Sequence, residues 1–432
     1  MRNSSLEQVW KGIKFLGSLK SLNLSHSCGL TRTPNFSRLP SLKRLILKSC
    51  LSLVEFHESI GDLKMLLLFN LKGCKSLQKL PSEITMLKSL KKLILSDCSN
   101  LEGMPNNLKE MESLTVLHAD GTTLNHLPSI PNNLSNFSFP TAKSLHSLFL
   151  SWLLAKKQPV STSFFSLASL PCSLVSLNLA NCNLSDDAIP RDLSNLSSLQ
   201  YLSLSGNPIS SLPTSIIGLT NLDSLILEGC KRIQSLPELP TSIQMFAKDC
   251  TSLERIGYLP NFSRSMHLGV LGCSKLVEIQ GSFKLEPIRS TDMEMISKVG
   301  LFDLASTGNI NVEMANGLTH THRKSPLQVL CECDILTTFI PGSNIPNWFV
   351  YDNGSRISLE VLPLPDRKIQ GLNICVVYKL RSDQQNIFGY DHYAKIRNET
   401  KGLEWTYSPA LWGLPGANED MLWISHWKLG IK

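Results

Sequence analysis

Leu42, Leu66, Leu90 and Leu114 stand 24 residues apart, and the text around each is nearly the same. SLKRLILKSCLSLVEF, MLLLFNLKGCKSLQKLP, SLKKLILSDCSNLEGMP and SLTVLHADGTTLNHLP share the pattern LxxLxLxxCxxLxxLP. Further copies begin at Ser173, Ser198 and Asn221, with a shortened one at Ser242. The first clear copy begins at Ser18 and carries one extra residue before Cys28. A unit this short cannot bury an apolar face alone, so neighbouring units must stack into one continuous core. The LxL centre of each unit reads as a short strand whose alternate residues point to opposite faces. Leu45 and Leu47 therefore point inward. Cys50, Cys74, Cys98, Cys182 and Cys230 fall at one register, where the strand turns inward, and Asn207 fills that position in another copy. Cysteines at a single repeat position are packing residues, whereas a disulfide framework would pair varied positions.

This pattern is the leucine-rich-repeat signature. The expected class is α/β: a leucine-rich-repeat solenoid with a parallel sheet on its concave face, spanning residues 1–284. The period breaks near 122–171, where Pro, Ser and Asn cluster, which reads as one or two degenerate units with an inserted loop. Residues 285–325 read as a connector, with Met295, Val299 and Phe302 on one helical face and THTHRKSP as a polar linker. Residues 326–432 change character. Five of the seven tryptophans (Trp348, Trp405, Trp412, Trp423 and Trp427) lie there. RISLEVLP, LNICVVYKL, HYAKIRN and MLWISHWKL read as short strands between turns, and so as an antiparallel β-sandwich.

Composition narrows the functions. The formal net charge is only +7, too small by itself to imply a nucleic-acid partner. No run reaches the roughly 18 apolar residues of a membrane span. The N-terminal text has no signal-peptide core, so the cysteines are expected to be reduced. His320 and His322, and the Cys331/Cys333 pair beside Asp334, lack a second set of metal ligands. Asp186 and Asp187 sit in a repeat loop and read as a solvated turn. No phosphate loop and no nucleophile elbow occurs, so neither catalytic, cofactor-binding nor metal-binding residues are expected.

In FIPGSNIPNWF, Pro341 and Gly342 read as a turn and Pro346 as a helix stop. Trp348 and Phe349 read as an apolar anchor. This phrase, with GSRISLEVLP after it and EDMLWISHWKL at the end, resembles the domain that follows the repeats in plant TIR-type nucleotide-binding leucine-rich-repeat immune receptors. Its family pattern is PGSxIPxWF, matched here by Pro341, Gly342, Ile345, Pro346, Trp348 and Phe349. LEQVWKGIKFLGSLKSLNLSHS, RTPNFSRLPSLKRLILKSC and SIGDLK resemble the early repeats of the tobacco N-like members. The resemblance implies a jelly-roll or immunoglobulin-like terminal domain. It also implies a non-catalytic role in the cytoplasm or nucleus, with a pathogen effector and the family's nucleotide-binding and TIR domains as partners. The text matches only the C-terminal part of such receptors, as a fragment, a truncated product or a stand-alone paralogue would.

The repeat register also places a candidate surface. Strand positions between the inward leucines face the concave side, as Arg44, Leu68, Lys92 and Val116 in one column and Ile46, Asn70, Ile94 and His118 in the next. Lys48 and Lys72 follow in a third. Exposed aliphatic residues among cations are the mark of a protein interface. An extracellular receptor ectodomain is the alternative, because Asn23, Asn35, Asn183, Asn195 and Asn261 begin N-x-[ST] sequons.

Overall fold

The computed structural model describes residues 3–5, 7–105, 107–124, 165–240, 243–258, 268–280, 282–287, 311–316, 318–332, 335–345, 349, 371–379, 393–398, 402–416 and 419–428. These fall into two compact units, Met1–Ile226 and Leu227–Lys432.

In the first unit the LxL centres form strands β1 (Ser21–Asn23), β2 (Arg44–Ile46), β3 (Leu68–Asn70), β4 (Lys92–Ile94), β5 (Val116–His118), β6 (Ser176–Asn178), β7 (Tyr201–Ser203) and β8 (Ser224–Ile226). Each pairs in parallel with the next, so Leu22, Leu45, Phe69, Leu93, Leu117, Leu177, Leu202 and Leu225 form one row. From Leu45 to Leu225 every member of that row is at most 1% exposed. β5 pairs directly with β6, Val116 to Ser176. The interruption expected near 122–171 falls between these two paired strands, and its residues 125–164 lie outside the described residues. Opposite the sheet the coils return through short 3-10 turns such as Glu58–Asp62, Ser82–Met86 and Thr214–Gly218, each with a buried Ile.

Two devices repeat at the end of each strand. The first is a left-handed residue immediately before the ladder position: His26, Ser49, Gly73, Asp97, Gly121, Asn181 and Gly206 all have φ between 54° and 75°. Only Gly, or a short polar side chain that can bond locally, adopts this conformation at low cost. The second is the ladder itself. Cys50 Sγ donates to Leu24 O at 3.2 Å, Cys74 to Leu47 O at 3.1 Å, Cys98 to Leu71 O at 3.1 Å and Cys182 to Ala119 O at 3.0 Å. Asn207 does more. Its Nδ2 donates to Leu179 O and Leu204 O, and its Oδ1 accepts from the amides of Cys182 and Leu184. A buried carbonyl without a donor costs about 1–3 kcal/mol, so each rung satisfies a group that stacking would otherwise strand. In the first coil Ser27 fills the rung position, 2% exposed, but its Oγ has no hydrogen-bond partner among the described residues, and Cys28 faces solvent.

The second unit begins with coils of its own and then changes sheet type. Its strands are β9 (Ser235–Leu236), β10 (Gln244–Phe246), β11 (Arg255–Ile256), β12 (Leu268–Gly269), β13 (Glu278–Ile279), β14 (Phe283–Pro287), β15 (Asn311–Asn316), β16 (Thr321–Pro326), β17 (Gln328–Glu332), β18 (Ile335–Pro341), β19 (Gly371–Tyr378), β20 (Ala394–Asn398), β21 (Leu403–Tyr407), β22 (Leu411–Leu414) and β23 (Met421–Lys428). β10 pairs with β12, and β9, β11 and β13 form a second parallel ladder. The tight β13–β14 reversal turns that ladder antiparallel, in the order β19-β23-β18-β17-β14-β13-β11-β9. An unpaired strand edge invites aggregation, and β14 removes one here. A second sheet, β16-β15-β22, lies over β18 and β23. Between the sheets Phe339, Trp412 and Trp423 stack with centroids 5.7 and 5.0 Å apart. Gly413 is required there, because a Cβ on it would lie 2.6 Å from that of Phe339. The expected antiparallel region after the repeats is thus present.

One expectation is corrected. The 285–325 stretch is not simply a connector: it carries β15 and most of β16, and THTHRKSP is hairpin turn and strand rather than polar linker. Phe349 is half-buried, and Phe339, Trp412, Trp423 and Trp427 form the aromatic centre of the sandwich among the described residues. Cys331 stands alone as a described member of its CxC pair, half-buried on β17. Pro346, Trp348, Met295, Val299, Phe302 and the strand expected at RISLEVLP lie outside the described residues.

A buried polar cluster ties β17, β18, β21 and β23 together. Glu332, 4% exposed, accepts from Tyr407 Oη and from the amide of Ala410. Thr337 Oγ1 contacts both Tyr407 Oη and Ser425 Oγ, and Trp427 Nε1 donates to Ser425 Oγ. Tyr407→Phe should lower the stability of this unit by about 1–3 kcal/mol in denaturant unfolding, because it strips a donor from a buried carboxyl. An unchanged midpoint would mean that solvent reaches Glu332.

The ladder makes a chemical prediction. Burial pushes the thiols of Cys50 and Cys98 up to about 11 from 9.0. Exposed Cys28 and Cys172 should react with a thiol reagent in the native protein, whereas Cys50, Cys74 and Cys98 should react only on unfolding. The folded state holds these protons more tightly than the unfolded chain. Stability is therefore complete below pH 9 and falls as pH rises toward 11. A melting temperature flat across that window would contradict the ladder.

Candidate functional site

The solvent face of β2–β5 carries every surface residue named from the sequence. Arg44, Lys48, Lys72 and Lys92 are exposed, and Ile46, Leu68, Asn70, Ile94, Val116 and His118 are half-buried. Strand pairing aligns Arg44 with Leu68, Lys92 and Val116, and Ile46 with Asn70, Ile94 and His118. The cations thus frame an aliphatic floor one strand spacing at a time. The inward leucines and Phe69 fix the backbone beneath, so these side chains project from rigid elements.

Not every member is free to contact a partner. Asn70 Oδ1 accepts from the Lys72 amide at 3.0 Å, as Asn23 does from Ser25 and Asn178 from Ala180. These asparagines close the strand end. Lys72 Nζ lies 3.4 Å from Asp97 Oδ2, an exposed pair that partly offsets its charge.

Next to the cations lies a polar group that the repeat pattern did not single out. Asp120 Oδ1 accepts from Ser96 Oγ at 2.7 Å and from Asn178 Nδ2 at 3.1 Å, joining three successive coils of the stack. His118 Nε2 lies 3.2 Å from Ser176 Oγ. Partial burial lowers the His118 pKa, Asp120 opposes that shift and Lys92 adds to it. The ring is therefore neutral at pH 7, and its Ser176 contact is a hydrogen bond between neutral groups. Among the described residues no second catalytic group is bonded to either atom, and the pair is a contact between β5 and β6.

The other sequence candidates resolve as structural groups. Asp186 takes the amide and hydroxyl of Ser210, each at 2.6 Å, and so braces one coil against the next. His320 adopts φ 51° in the β15–β16 turn, and His322 lies 3.8 Å from Glu313. Among the described residues no group of three or more His, Cys, Asp or Glu side chains could hold a metal ion. Pro341 ends β18, and Gly342, at φ +123°, donates its amide to Asp420 O. Ile345 is half-buried. Among the sequons, Asn23 and Asn35 each spend their side-chain oxygen on a backbone amide two residues on. No described helix is long and apolar enough to cross a membrane.

The family model for Leucine Rich repeats (2 copies) matches residues 197–241. Disease resistance protein RPS4B of Arabidopsis thaliana is 24% identical over 98% of this chain and 33% of its own length. The chain is a relative of plant disease-resistance proteins. Protein SUPPRESSOR OF npr1-1, CONSTITUTIVE 1, also of Arabidopsis thaliana, is 32% identical over 86% of this chain and 24% of its own length. TMV resistance protein N of Nicotiana glutinosa is 30% identical over 62% of this chain and 29% of its own length. The chain therefore spans about a third or less of the curated relatives it matches. The resemblance read from PGSNIPNWF and the early repeats is borne out by these relatives.

His118 supplies a check on the site's electrostatics. Its titration by NMR should show a midpoint below 6.5, moving up in Lys92→Ala and further down in Asp120→Asn. Because the folded pKa lies below the unfolded one, His118 adds to stability above pH 6.5 and that contribution is lost as pH falls through the folded value. A midpoint above 6.5 would place the ring in open solvent or on a carboxylate.

Proposed function

We propose that this relative of disease-resistance proteins is a non-catalytic recognition module of an intracellular plant immune receptor. The β2–β5 face binds a pathogen effector, restrains the nucleotide-binding switch of the receptor, or does both in turn. The reading rests on one observation: Arg44, Lys48 and Lys92 stand exposed around Ile46, Leu68 and Ile94 on a sheet whose backbone is locked from below. Desolvated aliphatic anchors inside a charged rim give binding energy at the centre and steering at the edge. Polar positions on this face that serve the fold, such as Asn70, alternate with these and leave the cations and aliphatics to a partner. No residue set suited to bond-making chemistry accompanies them among the described residues, so the chain acts by binding. The cytoplasm or nucleus is the matching compartment, where the ladder thiols stay reduced.

Reversal of Arg44, Lys48 and Lys72 to Glu tests this directly. The triple variant should keep its melting temperature, since all three side chains are exposed, and should lose co-precipitation with the nucleotide-binding portion of a full-length relative or with the effector that relative detects. Undiminished co-precipitation of a folded triple variant would remove the face from the interaction.

A further inference from the structure

We infer that the β2–β5 face selects a partner segment by charge polarity, seating carboxylates over the cations of β2–β4 and one arginine or lysine on Asp120. The inference rests on the reading of this face as a binding surface and specifies what it binds.

Position by position, the third surface column reads Lys48, Lys72, Ser96, Asp120 along successive coils. The sign of charge reverses along that line. Arg44 and Lys92 reinforce the positive end from the first column. Asp97 begins the reversal by holding Lys72 at 3.4 Å, and Asp120 completes it one coil further on. Solvent-exposed acids would ordinarily be mobile. Asp120 is half-buried and clamped by Ser96 and Asn178 from the coils on either side. Both of its side-chain hydrogen bonds among the described residues fall on Oδ1, which leaves Oδ2 to accept a further donor. Both clamping donors, a hydroxyl and a carboxamide, are uncharged groups. A preorganised carboxylate forfeits less side-chain entropy on meeting a guanidinium than an exposed one does. His118, the nearest titratable neighbour on β5, is neutral at pH 7 and does not compete for that charge.

The geometry sets a spacing. Neighbouring strands lie about 4.8 Å apart, so the coil of Lys72 and that of Asp120 are separated by about 10 Å. An extended peptide crossing the strands covers that distance in about three residues. The preferred segment therefore carries an acidic and aliphatic run followed, about three residues beyond its last carboxylate, by a single cation. A uniformly acidic segment would meet repulsion at Asp97 and Asp120. A basic one would meet it at Arg44 and Lys48.

Two fluorescent peptides test the inference by anisotropy on the full chain at low salt. One alternates Glu with Leu and ends, after a two-residue spacer, in Arg; the other has Gln in place of that Arg. The native protein should bind the Arg peptide about threefold or more tighter than the Gln peptide, the scale of one well-placed surface ion pair. That preference should vanish in Asp120→Asn. Both peptides should be lost in Arg44→Glu/Lys48→Glu. Equal binding of the two peptides to the native protein, with both still lost in the double reversal, overturns the polarity and leaves the surface reading intact. A preference that survives Asp120→Asn overturns the assignment of the cation to that residue. Failure of both peptides to bind overturns the inference, and co-precipitation of the charge-reversed triple variant then judges the surface reading separately.

Discussion

Everything in the first unit depends on one coil satisfying the next. A coil of this repeat has an inward row of leucines with no interior of its own and a strand end whose carbonyls point at its neighbour. Stacking solves both at once. Leu93 fits between Phe69 and Leu117, and the amides of Leu47, Leu71 and Leu95 donate to Asn70, Ile94 and His118 of the following coil. The Cys or Asn rung then donates back to the preceding coil. Hydrophobic burial supplies the driving force and the rungs fix the register, so the exposed side chains of one strand line up with those of the next.

That alignment is what turns a repeat into a surface. A single strand of three residues could not hold Arg44, Lys48 and Ile46 in useful relation to Leu68 or Lys92. The stack does so at no further conformational cost to those side chains' backbones. It also explains the division of labour among polar positions. Asn23, Asn70 and Asn178 close their own strand ends, while Asp120 draws donors from two other coils, both onto Oδ1. In the second unit the same edge problem is met differently. β14 reverses direction and passes the ladder into an antiparallel sheet, with an aromatic layer of Phe339, Trp412 and Trp423 sealing it against β16-β15-β22.

Much of this is legible in the residues. The 24-residue leucine period gives the parallel row, and the column assignment of Arg44, Ile46, Lys92 and Ile94 follows from strand alternation alone. The residue before each rung also carries a readable signal, since Ser, Gly, Asp, Gly and Asn at 49, 73, 97, 121 and 181 are those that tolerate positive φ. What was not legible depends on distant partners. THRKSP has no apolar alternation, and it becomes a strand because β15 pairs with it across a turn. Glu332 reads as a surface residue until Tyr407 and Ala410, more than seventy positions away, close over it. The clamp on Asp120 is not legible because Asn178 lies 58 residues downstream, beyond the interruption of the period.

The most direct test of the central claim is amide hydrogen exchange on Leu93→Ala. Leu93 is fully buried at the middle of the row, and its truncation should cost about 2–5 kcal/mol. If the coils hold one another up, the amides of Leu47, Leu71, Leu95 and Leu179 lose protection together, although only Leu71 and Leu95 lie beside the substituted strand. Loss confined to Leu95 and its own coil, with Leu47 and Leu179 as protected as before, would mean that the units stand independently, and the aligned surface built on them would have no foundation.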